Sequence, residues 1–142
     1  MSYVDMAHSH VERRLREAMG LTEVKRDPDG DIPFRYGTAA YFITVSDDGM
    51  LARIWSPAVR DLRPTAPVLR ELNAVSAELA FARVVLRSGC AYVEASTPIQ
   101  ELTADHLLQL CDEVGSSADG LGQMLAAVHG GTVFFPLGVE AV

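Results

Sequence analysis

Residues 69–95 read LRELNAVSAELAFARVVLRSGCAYVEA, and residues 102–125 read LTADHLLQLCDEVGSSADGLGQML. In the first stretch Val68, Leu72, Val75 and Leu79 recur at helical spacing, with Leu69 widening the apolar stripe. Thr65 is placed to cap that helix, and Pro67 is tolerated in its first turn, where the missing N–H costs nothing. Ala82 to Arg87 and Cys90 to Ala95 then flank Ser88-Gly89, a two-residue turn that pairs two strands. Val84 and Leu86 face the core in one phase, with Arg83 and Arg87 pointing out; Val85 faces it in the other. In the second stretch Thr103 caps a helix, with Asp105 in the first turn where the helix dipole favours an acid. Leu107, Leu110, Val114, Ala118, Leu121, Leu125 and Val128 keep a three-to-four spacing straight through Gly115 and Gly120. Because the phase survives both glycines, the pattern predicts one long helix, bent there and ended by Gly130-Gly131.

Working outward, Ser9 with Glu12 three residues on forms a capping box, and Gly20 supplies a stop. Val11, Leu15, Ala18 and Met19 form the apolar face of that first helix. Asp27-Pro28-Asp29-Gly30 is a turn that leads into a short strand from Ile32 to Tyr36. Ala39–Ser46 and Met50–Ser56 alternate as strands around Asp47-Asp48-Gly49, a hairpin signal read here as a type I′ turn with positive φ at both central residues. Thr132 to Leu137, with Pro136, reads as an edge strand or docked tail. The order is therefore helix, two or three strands, helix, two strands, helix. This is an α+β domain whose sheet is antiparallel and flanked by helices.

The chain has 142 residues, 49% of them hydrophobic and 22% charged, which predicts one globular domain over residues 1–142. No apolar run approaches the ~18 residues of a membrane span, and the start lacks the apolar core of a signal peptide. The expected setting is the cytoplasm, with Cys90 and Cys111 reduced. Net charge is −7, unevenly spread: residues 88–142 hold seven acids and no base. Those acids are expected to face water, and a phosphate backbone would be repelled, which argues against nucleic acid as a partner.

Little in the chain points to catalysis. His8 and His10 lack the further ligands a zinc site needs, and His106 and His129 are far apart on the last helix. Asp47-Asp48 and Asp112-Glu113 are adjacent acids, which usually point apart into solvent. Asp27, Asp29 and Asp31 lack the bidentate Glu of a calcium loop. Cys111 has acids, not bases, beside it, and Gly120-Leu121-Gly122 has neither the lysine nor the strand of a phosphate loop. No metal, cofactor or enzymatic constellation is expected. The aromatics Phe34, Tyr36 and Trp55 gather around the first strands and read either as core or as an exposed groove or dimer face.

Val68-Leu-Arg-Glu-Leu-Asn73, Ala80-Phe-Ala-Arg-Val-Val85, Tyr92-Val-Glu-Ala95 and Leu102-Thr103, in that order, resemble YbjN-like domains, relatives of the type III secretion chaperone fold (the TY-Chap group). The resemblance covers residues 9–129 and leaves a tail from residue 130 onward. It implies the order α-β-β-β-α-β-β-α, a homodimer, and a chaperone-like module that holds a segment of a partner protein in apolar grooves. The surfaces it implies carry Leu15, Met19, Phe34, Tyr36, Phe42 and Trp55. The alternative from a different class is a regulatory domain that binds a small ligand between helix and sheet.

Overall fold

Ser2 accepts from the backbone N–H of Asp5, and the Asp5 carboxylate accepts from Ser2 in return, so the first helix starts on this capping box. The computed structural model describes residues 2–133. In it α1 spans Tyr3–Met19 and ends on Gly20 in the left-handed conformation. The expected Ser9–Glu12 box is not the start: the helix begins two turns earlier. Both Ser-x-x-acid pairs fit the rule, and Ala7 and Val11 extend the buried face back to the earlier one.

The remaining elements are β1 (Ile32–Tyr36), β2 (Ala39–Val45), β3 (Leu51–Arg60), α2 (Ala66–Glu78), β4 (Arg83–Arg87), β5 (Cys90–Pro98), a single 3-10 turn (Ile99–Glu101), α3 (Ala104–His129) and β6 (Thr132–Val133). The order α-β-β-β-α-β-β-α stands, with β6 added. All strand pairs are antiparallel, and the sheet runs β1-β2-β3-β5-β4, with β6 on β3. Residues 134–137 of the expected tail strand lie outside the described residues.

Ser88 and Gly89 both take positive φ (51° and 77°), as a two-residue turn between right-twisted strands requires. The β2–β3 connection differs from the expected type I′ turn. Only Gly49 has positive φ (72°), and a longer loop closes through the Ser46 N–H on the Leu51 carbonyl at 2.9 Å. The reason is local: the Asp48 carboxylate accepts from Ser46 Oγ (2.7 Å) and the Met50 N–H (2.9 Å), which favours a wider, side-chain-bonded loop.

β3 runs on past Ser56 through a bulge between Pro57 and Val59, which returns Val59 to the core opposite Ala91. Inward residues of the sheet (Ile32, Phe34, Ile43, Ile54, Val84, Val93) form one core with Val11 and Leu15 of α1, Leu72 of α2 and Leu107, Val114 and Leu125 of α3. α3 is one helix through both glycines, as its phase predicts. Gly122 lets the helix approach β3: an added Cβ would sit 2.7 Å from the Ala58 carbonyl oxygen. α2 lies along β4, whose Val84 N–H donates to Ser76 Oγ (2.8 Å), so this helix covers one edge of the sheet. The β1 edge has no strand beyond it among the described residues.

Candidate functional site

The early start of α1 creates a surface that the sequence pattern did not anticipate. Tyr3, Met6, His10 and Arg13 line one stripe of α1, and Met50 of the β2–β3 loop and Pro98–Glu101 face them across a cleft of about 800 Å³. Tyr3 (78% exposed), Met6 (54%) and Met50 (55%) leave large apolar side chains open to solvent there. The walls are tied together. His10 Nε2 lies 3.1 Å from the Leu102 carbonyl, and the Ile99 N–H donates to the Met50 carbonyl at 2.9 Å. Gly49 touches the first turn of α1, since a Cβ on it would lie 2.9 Å from the Tyr3 backbone. A rigid wall, thioether-rich flanks and no buried charge suit an extended apolar segment. The signal for this cleft was present in Ser2-x-x-Asp5.

A second surface is the sheet face turned away from the helices. One row across it is Pro33, Phe42, Trp55, Glu94 and Arg83, each opposite the next in register. Phe42 stacks on Trp55 (centroids 4.5 Å apart), and Tyr92 meets Trp55 edge-on at 5.5 Å. Trp55 Nε1 donates to Thr44 Oγ1 (2.9 Å), which donates to Asp31 Oδ1 (2.8 Å). Glu94 is 1% exposed and does not face water as expected of the acids after residue 88. Arg83 (2.9 Å), Arg87 (3.1 Å) and Arg53 (3.6 Å) surround its carboxylate.

The six residues expected to bear the partner surface divide accordingly. Leu15 is fully buried and Phe34 is buried, stacked on Tyr41 inside the core at 5.0 Å, so both support the fold from within and do not line a groove. Met19 is half-buried against the core. Tyr36 is exposed at the end of β1. Phe42 and Trp55 lie on the outer sheet face, so the expected Phe34–Tyr36–Trp55 cluster is split between two sides of the sheet.

The polar candidates also find places. His8 and His10 point to different sides of α1, and His8 is buried with Nδ1 unpartnered. Burial is the main cause that holds the His8 pKa below the ordinary value. Cys111 is fully buried, its thiol pushed up to about 12 by burial and by Asp112. Asp27 accepts from the N–H groups of Asp29 and Asp31, so it closes its own turn. Glu113, expected to point into solvent, accepts the backbone N–H groups of Ala80 (2.5 Å), Phe81 (2.7 Å) and Ala82 (3.0 Å) and so holds the α2–β4 loop. Among the described residues no group of three or more His, Cys, Asp or Glu is arranged to hold a metal ion, and no helix is long and apolar enough to cross a membrane.

Solved structures share this fold. The HopA1–SchA chaperone–effector complex contains a chain with a TM-score of 0.65 and 16% identity, covering 84% of this chain and 98% of that one. The Yersinia pestis type III secretion chaperone SycH, crystallised with a stable fragment of YscM2, gives 0.61 and 14%, covering 84% and 99%. YbjN from E. coli, described as a putative transcription regulator, gives 0.56 and 14%, covering 82% and 89%. No curated protein matches the chain. A family model described as "T3SS (YopN, CesT) and YbjN peptide-binding chaperone 1" matches residues 5–137. With nearly the whole chain inside that match, this protein belongs to the TY-Chap1 family.

Proposed function

We propose that this chain is a non-catalytic, homodimeric, cytoplasmic chaperone-like module that holds an extended segment of a partner protein in the cleft between α1 and the Ile99–Glu101 turn. The observation that carries this reading is the exposure of Tyr3, Met6 and Met50 around one cleft whose walls are cross-tied. Burying such side chains against a partner is worth roughly 1.5–3 kcal/mol each. Methionine adapts to varied apolar side chains, as a holder of unfolded segments requires. Membership of a peptide-binding chaperone family supports the same reading. Among the described residues the β1 edge is open and offers strand pairing beside Tyr36, and half-buried Met19 extends the apolar stripe of α1.

The test begins with mass spectrometry of proteins that co-purify at native expression level. A purified partner fragment is then titrated against the wild type and against Met6→Glu/Met50→Glu, with light scattering to count protomers. A dimer whose affinity falls at least tenfold in the variant is expected. Unchanged affinity in a folded variant would sink the cleft as the binding site.

A further inference from the structure

The outer sheet face carries charge of the opposite sign to the whole molecule. Strand alternation puts Arg35, Arg53, Arg83 and Arg87 on it, against the carboxylates of Glu94 and, at its margin, Asp31. Four guanidiniums against two carboxylates leave this part of the face at +2, with Arg60 at the far end of β3 paired to Asp61, while the full chain stands at −7. Glu94 orients the set without neutralising it. Its two oxygens sit between three guanidiniums, so Arg83 (67% exposed), Arg87 (48%) and Arg53 (35%) keep donors free toward solvent. Beside them Trp55 is held by its indole N–H, by Phe42 and by Tyr92, with the Arg53 guanidinium 5.9 Å from its ring centre. All three described α-helices pack on the other side or along the β4 edge.

We infer that this face is a second docking surface, separate from the α1 cleft, for an acidic segment of a partner protein in which an aromatic or apolar side chain lies between carboxylates. The arginine donors match carboxylates bidentately, and the ring cluster provides an apolar seat between them. Charge complementarity chooses this occupant. A second copy is the competing occupant, because its α1 sets exposed Tyr3 and Met6 beside Asp5, and the dimer outcome of the test reads it. A nucleic acid needs a longer basic track than five strands, about 20 Å across, and would meet the acidic remainder of the chain.

Trp55, the only tryptophan, reports occupancy directly. Its emission is followed while the full chain is titrated with the peptide acetyl-Glu-Asp-Phe-Glu-Asp-amide, with acetyl-Lys-Lys-Phe-Lys-Lys-amide, and with a fifteen-residue oligothymidylate. The acidic peptide is expected to saturate the signal below about 100 μM and to weaken several-fold between 50 and 300 mM NaCl, as screened charge pairs do. Arg35→Glu/Arg83→Gln, which leaves Arg53 and Arg87 on Glu94, weakens it by about tenfold, the equivalent of 1.4 kcal/mol. Met6→Glu/Met50→Glu leaves it unchanged, so loss of the cleft and loss of this face are told apart. The proposal is overturned by equal binding of the basic peptide, by tighter binding of the oligonucleotide, or by no response to the acidic peptide. It is equally overturned by a dimer in which acrylamide no longer reaches Trp55.

Discussion

The Tyr41 hydroxyl occupies the space that a side chain at Gly115 would fill, and it donates to the Cys111 carbonyl one helical turn earlier at 2.7 Å. The buried phenol thereby finds an acceptor on a helix backbone that has already bonded its own N–H. Burial raises the Tyr41 pKa, so the ring stays a donor across the working pH range. Gly115 is the condition for this contact. Gly115→Ala should therefore cost about 1–3 kcal/mol, although alanine is favoured over glycine in a helix by about 1 kcal/mol. Gly120→Ala, where an added Cβ meets nothing within 4 Å, should gain about 0.5–1 kcal/mol. Urea denaturation of the two variants gives opposite signs if this account holds.

Glu94 ties β3 and β4 to β5 through three arginines. Replacing it with Gln leaves the guanidiniums facing one another without a counter-charge. Because these arginines keep water, the expected loss is about 1–3 kcal/mol and not the full cost of breaking a wholly buried pair. Chemical denaturation at low and high salt measures it, and high salt should narrow the difference from wild type.

Glu113→Ala removes the acceptor of three consecutive backbone N–H groups. The expected cost is about 1–3 kcal/mol, with faster amide exchange confined to residues 79–83, because charged hydrogen bonds to backbone donors are strong and here come in a set. Unaltered exchange there would mean the loop is held by other contacts.

His8 gives a pH dependence of known sign. Its folded pKa lies below 6.5, chiefly from burial, with Arg26 adding to the fall and Glu12, Asp5 and Asp31 opposing it. The unfolded chain therefore takes up the proton first as pH drops. The His8 contribution is intact above about pH 6.5 and is lost as pH falls from there through the folded pKa. His8→Met should flatten the fall in stability between pH 7.5 and 5.5; an identical slope in the variant would remove His8 as its source.

Leu15 separates core from partner surface. Leu15→Ala should cost about 2–5 kcal/mol of stability, as buried leucines do, with partner affinity of the folded fraction unchanged. Thermal unfolding and titration of the same preparation read both. In the same preparation iodoacetamide should label half-buried Cys90 and spare Cys111, whose thiol is fully buried.

The sequence by itself determined what depends on near neighbours. The phase of α3 across Gly115 and Gly120, the Thr65 and Thr103 caps and the Ser88-Gly89 turn all rest on interactions within a few residues, and all are present. The changes of period also gave helix, two or three strands, helix, two strands, helix, and the family resemblance implied the third strand, β1, that the structure contains. The start of α1 was expected at Ser9–Glu12, and the structure places it at Ser2–Asp5, an equally local signal seven residues earlier. The wrong choice hid Tyr3 and Met6, and the α1 cleft with them.

Tertiary structure alone decided which residues share a surface. Phe34 on β1 and Trp55 on β3 were expected in one cluster. The register through β2, with Phe34 opposite Tyr41 and Trp55 opposite Phe42, sends one into the core and the other to the outer face. Arg53, Arg83 and Arg87 meet Glu94 only because β5 inserts between β3 and β4 in that register. Register across strands distant in sequence is set by the summed burial of whole faces, a quantity no local pattern contains.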